Sequence, residues 1–347
     1  MLDNRFFSLR RVLLTVAIVS LYSIQALSDQ AGVGLSQVRK TLLKKASGRV
    51  DQVVPVSNDG FLVRDVDYRN EAAQALELYD AYGYFCGQFG SFGRSAGQYF
   101  RLKSVAVAKD GTILVADVVG RLSRFHMSGW LINTKLIQRP GYQIDGLALD
   151  EARGIYYLSG CLPNKVYLNY GCRLVHQYGL GDDSYRQSFL ETDQEALDKN
   201  LLSLEDHQID TDERGRIYAI DAPLLKVVRY EPESGEKRDF PVQSRIATPL
   251  GAIQPGLQNS SAAYENAYLL DRVLATGQRF FVSIRKPKGE GFLLQGFDDG
   301  GKQFVVDMPS PGRLVGKTQS GNLLFAAKTP EGFEITEYEF SSGARRK

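Results

Sequence analysis

Three histidines, three cysteines, three methionines and one tryptophan in 347 residues leave little for the chemistries that depend on those side chains. Cys86, Cys161 and Cys172 form no C-x-x-C pair and no zinc-ligand spacing. No G-x-S-x-G elbow and no phosphate-cradling glycine loop occurs, and none of the cysteines has a histidine partner that points to nucleophilic catalysis. Basic runs are confined to Lys44-Lys45 and Arg345-Arg346-Lys347, which read as solvated ends. A nucleic-acid surface needs more positive charge than that, so nucleic acid is excluded as a partner.

The long apolar run, Val12 to Leu27, follows Arg5, Arg10 and Arg11 and ends in Ala26-Leu27-Ser28. Ser20, Tyr22, Ser23 and Gln25 interrupt it, leaving it short of the roughly 20 apolar residues of a spanning helix. It reads as an export signal over residues 1–28, cleaved after Ser28, with periplasmic or secreted localisation; an uncleaved signal is the one route to membrane attachment. Arg10-Arg11 also fits a twin-arginine signal, though paired arginines are common in ordinary ones. Loss of residues 1–28 removes three Arg and one Asp, taking the chain from 42 basic and 40 acidic side chains to 39 of each. An odd cysteine count in an oxidising compartment leaves at least one thiol unpaired in the monomer. If Cys161 ends one strand and Cys172 follows the next, about five residues of strand rise, roughly 16 Å, separate them. A disulfide needs Cα atoms within about 7 Å, which disfavours that pair and leaves Cys86 with either of the others open.

At 43% hydrophobic and 24% charged, the composition is that of a folded globular chain, and its length accommodates one large all-β domain. Residues 29–47 are expected as a short amphipathic helix or linker, with Leu35, Val38, Leu42 and Leu43 spaced among basic residues. Lys40, Lys44 and Lys45 would give that helix a basic face toward a membrane surface. Residues 48–347 are expected as a six-bladed β-propeller. Turn glycines at Gly60, Gly111, Gly154, Gly215, Gly277 and Gly321 each precede a short β-rich segment, and the preceding Asp59 and Asp110 are placed to bond the turn backbone. A sheet this small buries its faces only against neighbours, so repetition implies a ring. Third strands are expected at Leu122–His126 and Lys226–Tyr230, and outer strands near Trp130 and Arg238. Asp117 and Asp221 end second strands as turn acceptors, a strand near Val50–Val54 completes the last blade, and the insertion around Tyr185–Glu205 carries a short helix. Trp130 is expected to pack, and Asp298-Asp299-Gly300-Gly301 to form a hairpin turn rather than a calcium loop.

The segment CGQFGSFGRSAGQYFRLKSVAVAKDGTILVADVVGRLSRFHMSG resembles the NHL-type repeat of six-bladed propellers, and HQIDTDERGRIYAIDAPLLKVVRYEPESG is similar. DGLALDEARGIYYLSGCLPNKVYLNYG is a moderate match, and the remaining units rest on spacing. The resemblance implies the fold and little about chemistry, because gluconolactonase-like hydrolases, lyases, the Yellow group and pure binding proteins share it. The glutamate-glycine-proline start of the lactonases is absent, with no first metal ligand or matching Asn. Zinc-binding propeller lyases use several channel histidines; His126 on a third strand and His176 on an outer strand point away from the channel.

Innermost strands line the axis of a propeller, so the residues at their beginnings are the ligand-binding candidates: Lys103, Asp145, Asp206 and His207. One amine, two carboxylates and one group that titrates near neutrality suit a polar ligand or proton transfer. The competing reading is that they hydrogen-bond water and neighbouring turns. The sequence thus leads to an exported propeller that binds a protein, peptide or glycan through one face and needs no cofactor. The alternative is a hydrolase or lyase using those four residues, with a divalent metal such as calcium.

Overall fold

The computed structural model describes residues 33–46, 48–66, 74–137, 143–161, 173–191, 208–222, 224–249 and 265–342. Six four-stranded antiparallel sheets form the blades of a propeller, with a two-stranded ribbon (Ser91–Phe92 with Gln98–Tyr99) beside them. The innermost strands, in blade order, are Arg49–Pro55, Leu102–Val107, Gln143–Asp150, Ile209–Thr211, Leu269–Thr276 and Arg313–Lys317. Each turns through a tight hairpin into the second strand. The side of the ring that holds these turns is the hairpin face, and the side from which the innermost strands set out is the rim face.

All six turn glycines fall between first and second strands. Five take positive φ, from 56° at Gly277 to 88° at Gly321. In blade one the roles are exchanged: Asp59 adopts φ 58° and Gly60 is extended. Asp110 Oδ1 accepts the Thr112 N–H at 2.8 Å, as a turn aspartate should. Asp298 to Gly301 form a hairpin, with Gly301 N–H donating to the Asp298 carbonyl.

Apolar clusters lie between successive blades. Leu62, Leu76, Val105 and Phe125 join blades one and two, and Tyr218, Val227, Phe280 and Phe297 join four and five. Ionic contacts follow the same direction. Arg124 of blade two meets Asp183 in the outer turn of blade three, Arg153 of blade three meets Glu233 of blade four at 2.8 Å, and Arg216 and Arg229 of blade four meet Asp299 of blade five.

The described part of the expected helix, residues 33–46, is not helical. Val33–Leu43 is a strand, paired with Gly332–Ser342 from Val33 opposite Ser342 to Leu43 opposite Phe333, and it is the outer strand of blade six. The last blade is therefore completed by Val33–Leu43, and the strand containing Val50–Val54 opens blade one instead. Leu43, fully buried, sits among Val50, Val53 and Phe61 of blade one and Val315 and Phe333 of blade six, so the first strand closes the ring. The pairing covers the edge that Gly332–Ser342 would otherwise expose, with Val33–Leu43 as the blade's own outer edge.

Three further expectations change. Tyr185–Glu191 is the outer strand of blade three, and the helix expected after it lies outside the described residues, as does the export signal. The third strand of blade three is Arg173–Gly179, so the strand-rise argument against pairing Cys161 with Cys172 lapses, Cys172 itself lying outside the described residues; His176 stands on that third strand, buried. Trp130 does not pack in the core: it is 76% exposed, in the turn before the outer strand Leu131–Leu136.

Candidate functional site

In five of the six blades, the pairing of first and second strands slips by one residue near the rim. The slips fall between Val50 and Gln52, Leu102 and Ser104, Ile144 and Gly146, Leu270 and Arg272, and Leu314 and Gly316. A bulge leaves its extra residue unpaired and re-aims the side chain. The extra residues are Asp51, Lys103, Asp145, Asp271 and Val315, so four of the five bring charge to the rim.

Two ionic groups result. Lys103 Nζ donates to Asp145 Oδ1 at 2.9 Å between blades two and three, with Asp145 buried and Lys103 half-buried. The structure thus brings together two of the four candidates. Asp206 and His207 lie outside the described residues. The larger group centres on Asp51, whose carboxylate accepts Arg49 Nε at 2.7 Å and Arg64 Nη2 at 2.8 Å and also meets Arg313. Arg313 binds Asp271 through Nε and Nη2, at 2.9 and 2.7 Å. Burial, with Arg49 alongside, acts to lower the Arg313 pKa. The two carboxylates act the other way, and arginine starts so far above neutrality that it stays charged.

Asp51 and Asp271 share a local pattern with Asp145: an apolar residue, an aspartate, any residue, then an apolar one. It reads Val50-Asp51-Gln52-Val53, Ile144-Asp145-Gly146-Leu147 and Leu270-Asp271-Arg272-Val273. That recurrence was the signal for the missed rim residues.

Below the rim, the inner edges of the first strands carry backbone groups that no further strand can satisfy, and side chains from neighbouring blades do so instead. Gln52 of blade one caps both groups of Val105, accepting its N–H at 3.0 Å and donating to its carbonyl at 2.7 Å. Ser104 accepts from Leu147 N–H, Gln208 donates to the Asp145 carbonyl, and Thr211 donates to the Leu149 carbonyl. Arg272 reaches from blade five to the Asp51 carbonyl of blade one. Much of the channel's polarity is therefore spent on its own walls. Asp117 and Asp221 likewise serve as turn acceptors, Asp117 for Val119 and Arg121 N–H and Asp221 for Leu224 N–H.

A cavity of about 440 Å³ occupies the axis and opens on the hairpin face, where Glu151, Glu213 and Gln319 border it; its other end stops at Gln52 and Arg272. Lys103 and Asp145 lie beyond that end, on the rim side. Among the described residues no three His, Cys, Asp or Glu side chains gather as a metal site.

No protein-family model matches the sequence, and no curated protein is similar to it. Solved structures share its fold. A candidate exported protein of Bacteroides fragilis aligns with TM-score 0.59 and 12% identity, over 89% of this chain and 96% of that one. The WD40 repeats of RRP9 align with TM-score 0.55 and 10% identity, over 88% and 100%. Virginiamycin B lyase of Staphylococcus aureus aligns with TM-score 0.50 and 10% identity, over 88% and 99%. At such identities the likeness is one of fold.

Proposed function

We propose that this chain is an exported propeller that holds a macromolecular partner, a protein or peptide before a glycan, against its rim face. The observation that carries the reading is the inequality of the two faces. Hairpin-face connections are short and several are stapled to neighbours: Glu151 accepts Lys109 N–H at 2.6 Å, Glu213 accepts Gly277 N–H at 3.2 Å and Arg214 meets Asp299. The longer intervals between described strands, 162–172, 192–208 and 242–268, are all bounded by strand ends on the rim side. Loops displayed from a rigid scaffold are the usual carriers of recognition. Val119 and Ile246, 47% and 50% exposed in connections of that side, add apolar contact area. Export rests on the apolar run Val12 to Leu27 behind its arginines. The reading calls for no metal or cofactor.

The test is affinity capture from an envelope extract with matched variants. A partner retained by the unaltered protein and by Glu213→Lys on the hairpin face, but lost by Val119→Asp with Ile246→Asp, supports the proposal. Equal retention by all three, or no reproducible partner, overturns it.

A further inference from the structure

The axial cavity is independent of the partner face and has its own chemistry. Its volume, about 440 Å³, falls in the roughly 300–1,000 Å³ range of small-molecule pockets. Its wall is divided. Blades one to three present half-buried apolar side chains, Val54, Val107 and Leu149, whereas blades four to six present Asp210, Thr276 and Lys317.

The polar half has already used its donors. The Lys317 ammonium gives its three hydrogens to Asp210 Oδ2 at 2.6 Å, the Ala275 carbonyl at 2.6 Å and the Thr211 carbonyl at 3.0 Å. Asp210 Oδ2 also accepts the Ala275 N–H at 2.8 Å. Asp210 Oδ1 makes no hydrogen bond among the described residues, so the wall offers an acceptor rather than a donor. At the mouth, the carboxylates of Glu151 and Glu213 accept backbone N–H groups beside one exposed lysine of the lining, Lys109. Asp150 and Asp212, also at the wall, are paired with Arg153 and Arg216. Arg272, at the closed end, is turned to the Asp51 carbonyl.

We propose that this cavity binds a small organic ammonium ligand, its charged nitrogen donating to Asp210 Oδ1 and its apolar body lying against Val54, Val107 and Leu149. The acidic mouth favours approach of a cation, and the split wall matches a molecule with one polar end and one apolar end.

Calorimetric titration of the full-length protein with hexylammonium, hexanoate and hexanol tests this. Expected is saturable one-to-one binding of hexylammonium, with hexanoate and hexanol at least about tenfold weaker. Asp210→Asn, and separately Thr276→Trp, which fills the mouth without touching an ion pair, should each weaken hexylammonium by at least about tenfold. If Asp210→Asn fails to fold, Thr276→Trp decides. Absence of saturable binding, hexanoate binding as tightly as hexylammonium, or hexylammonium binding unaltered by Thr276→Trp overturns the proposal.

Discussion

Asp51 is the residue on which the rim turns, because three guanidinium groups converge on one buried carboxylate. A buried network of this kind adds little to stability compared with an apolar core, but removing one member leaves the others uncompensated. Asp51→Ala should therefore cost about 3–5 kcal/mol in urea denaturation. A loss below about 1 kcal/mol would mean the charges are solvated. Tyr157 is the converse case. Its hydroxyl is buried without a hydrogen-bond partner among the described residues, stranded between Phe189 and the strands of blades three and four. Because an unsatisfied hydroxyl carries a desolvation cost, Tyr157→Phe should stabilise the protein by about 1 kcal/mol in the same assay. A destabilised variant would show that the hydroxyl does have a partner. Lys103 and Asp145 were legible because each directly precedes a β-rich run. Asp51 obeys the same rule but was hidden by assigning its strand to the closure of the last blade. Arg64, Arg272 and Arg313 leave no local trace, since their roles arise where three blades meet.

At the scale of the element, the hairpins were legible because Gly and Asp at a turn flanked by β-branched and aromatic residues have few other uses. The strand Val33–Leu43 was not. Its pairing slips between Gln37 and Arg39, which breaks the alternation expected of a strand. Before the slip Leu35 is half-buried, at it Val38 is 53% exposed, and after it Thr41 and Leu43 turn inward. The resulting spacing of Leu35, Val38, Leu42 and Leu43 imitates a helix face. Leu43 does the sealing between blades six and one, so Leu43→Ala should cost about 2–5 kcal/mol in thermal or urea unfolding, with the sheets otherwise intact. A cost below about 1 kcal/mol would mean that the junction closes without it. Gly316 belongs to the same junction: a Cβ there would stand 2.0 Å from the Val53 carbonyl oxygen, which explains a glycine in the middle of the innermost strand of blade six.

The whole molecule carries a pH signature. Burial pushes the Tyr99 phenol up to about 12, and burial raises Tyr79, Tyr156, Tyr157 and Tyr218 further. An unfolded tyrosine ionises near about 10. The folded state holds these protons more tightly, so their contribution is complete below that value and is lost as pH rises through the folded pKa values. Each tyrosine should remove up to about 1.4 kcal/mol per pH unit above about pH 10. Urea denaturation should then show stability level to about pH 9 and falling steeply beyond about pH 10. Stability that stays level through about pH 11 would contradict the burial of these rings.

The two faces, the charged rim and the axial cavity all depend on a ring clasped by its own first strand. Hydrogen–deuterium exchange of the peptide spanning Val33–Leu43 tests that directly. If the clasp is formed, its amides exchange as slowly as those of Gly332–Ser342, the strand it pairs with. Complete exchange within seconds, while the other blades stay protected, would show the segment to be a free tail and the ring to be open.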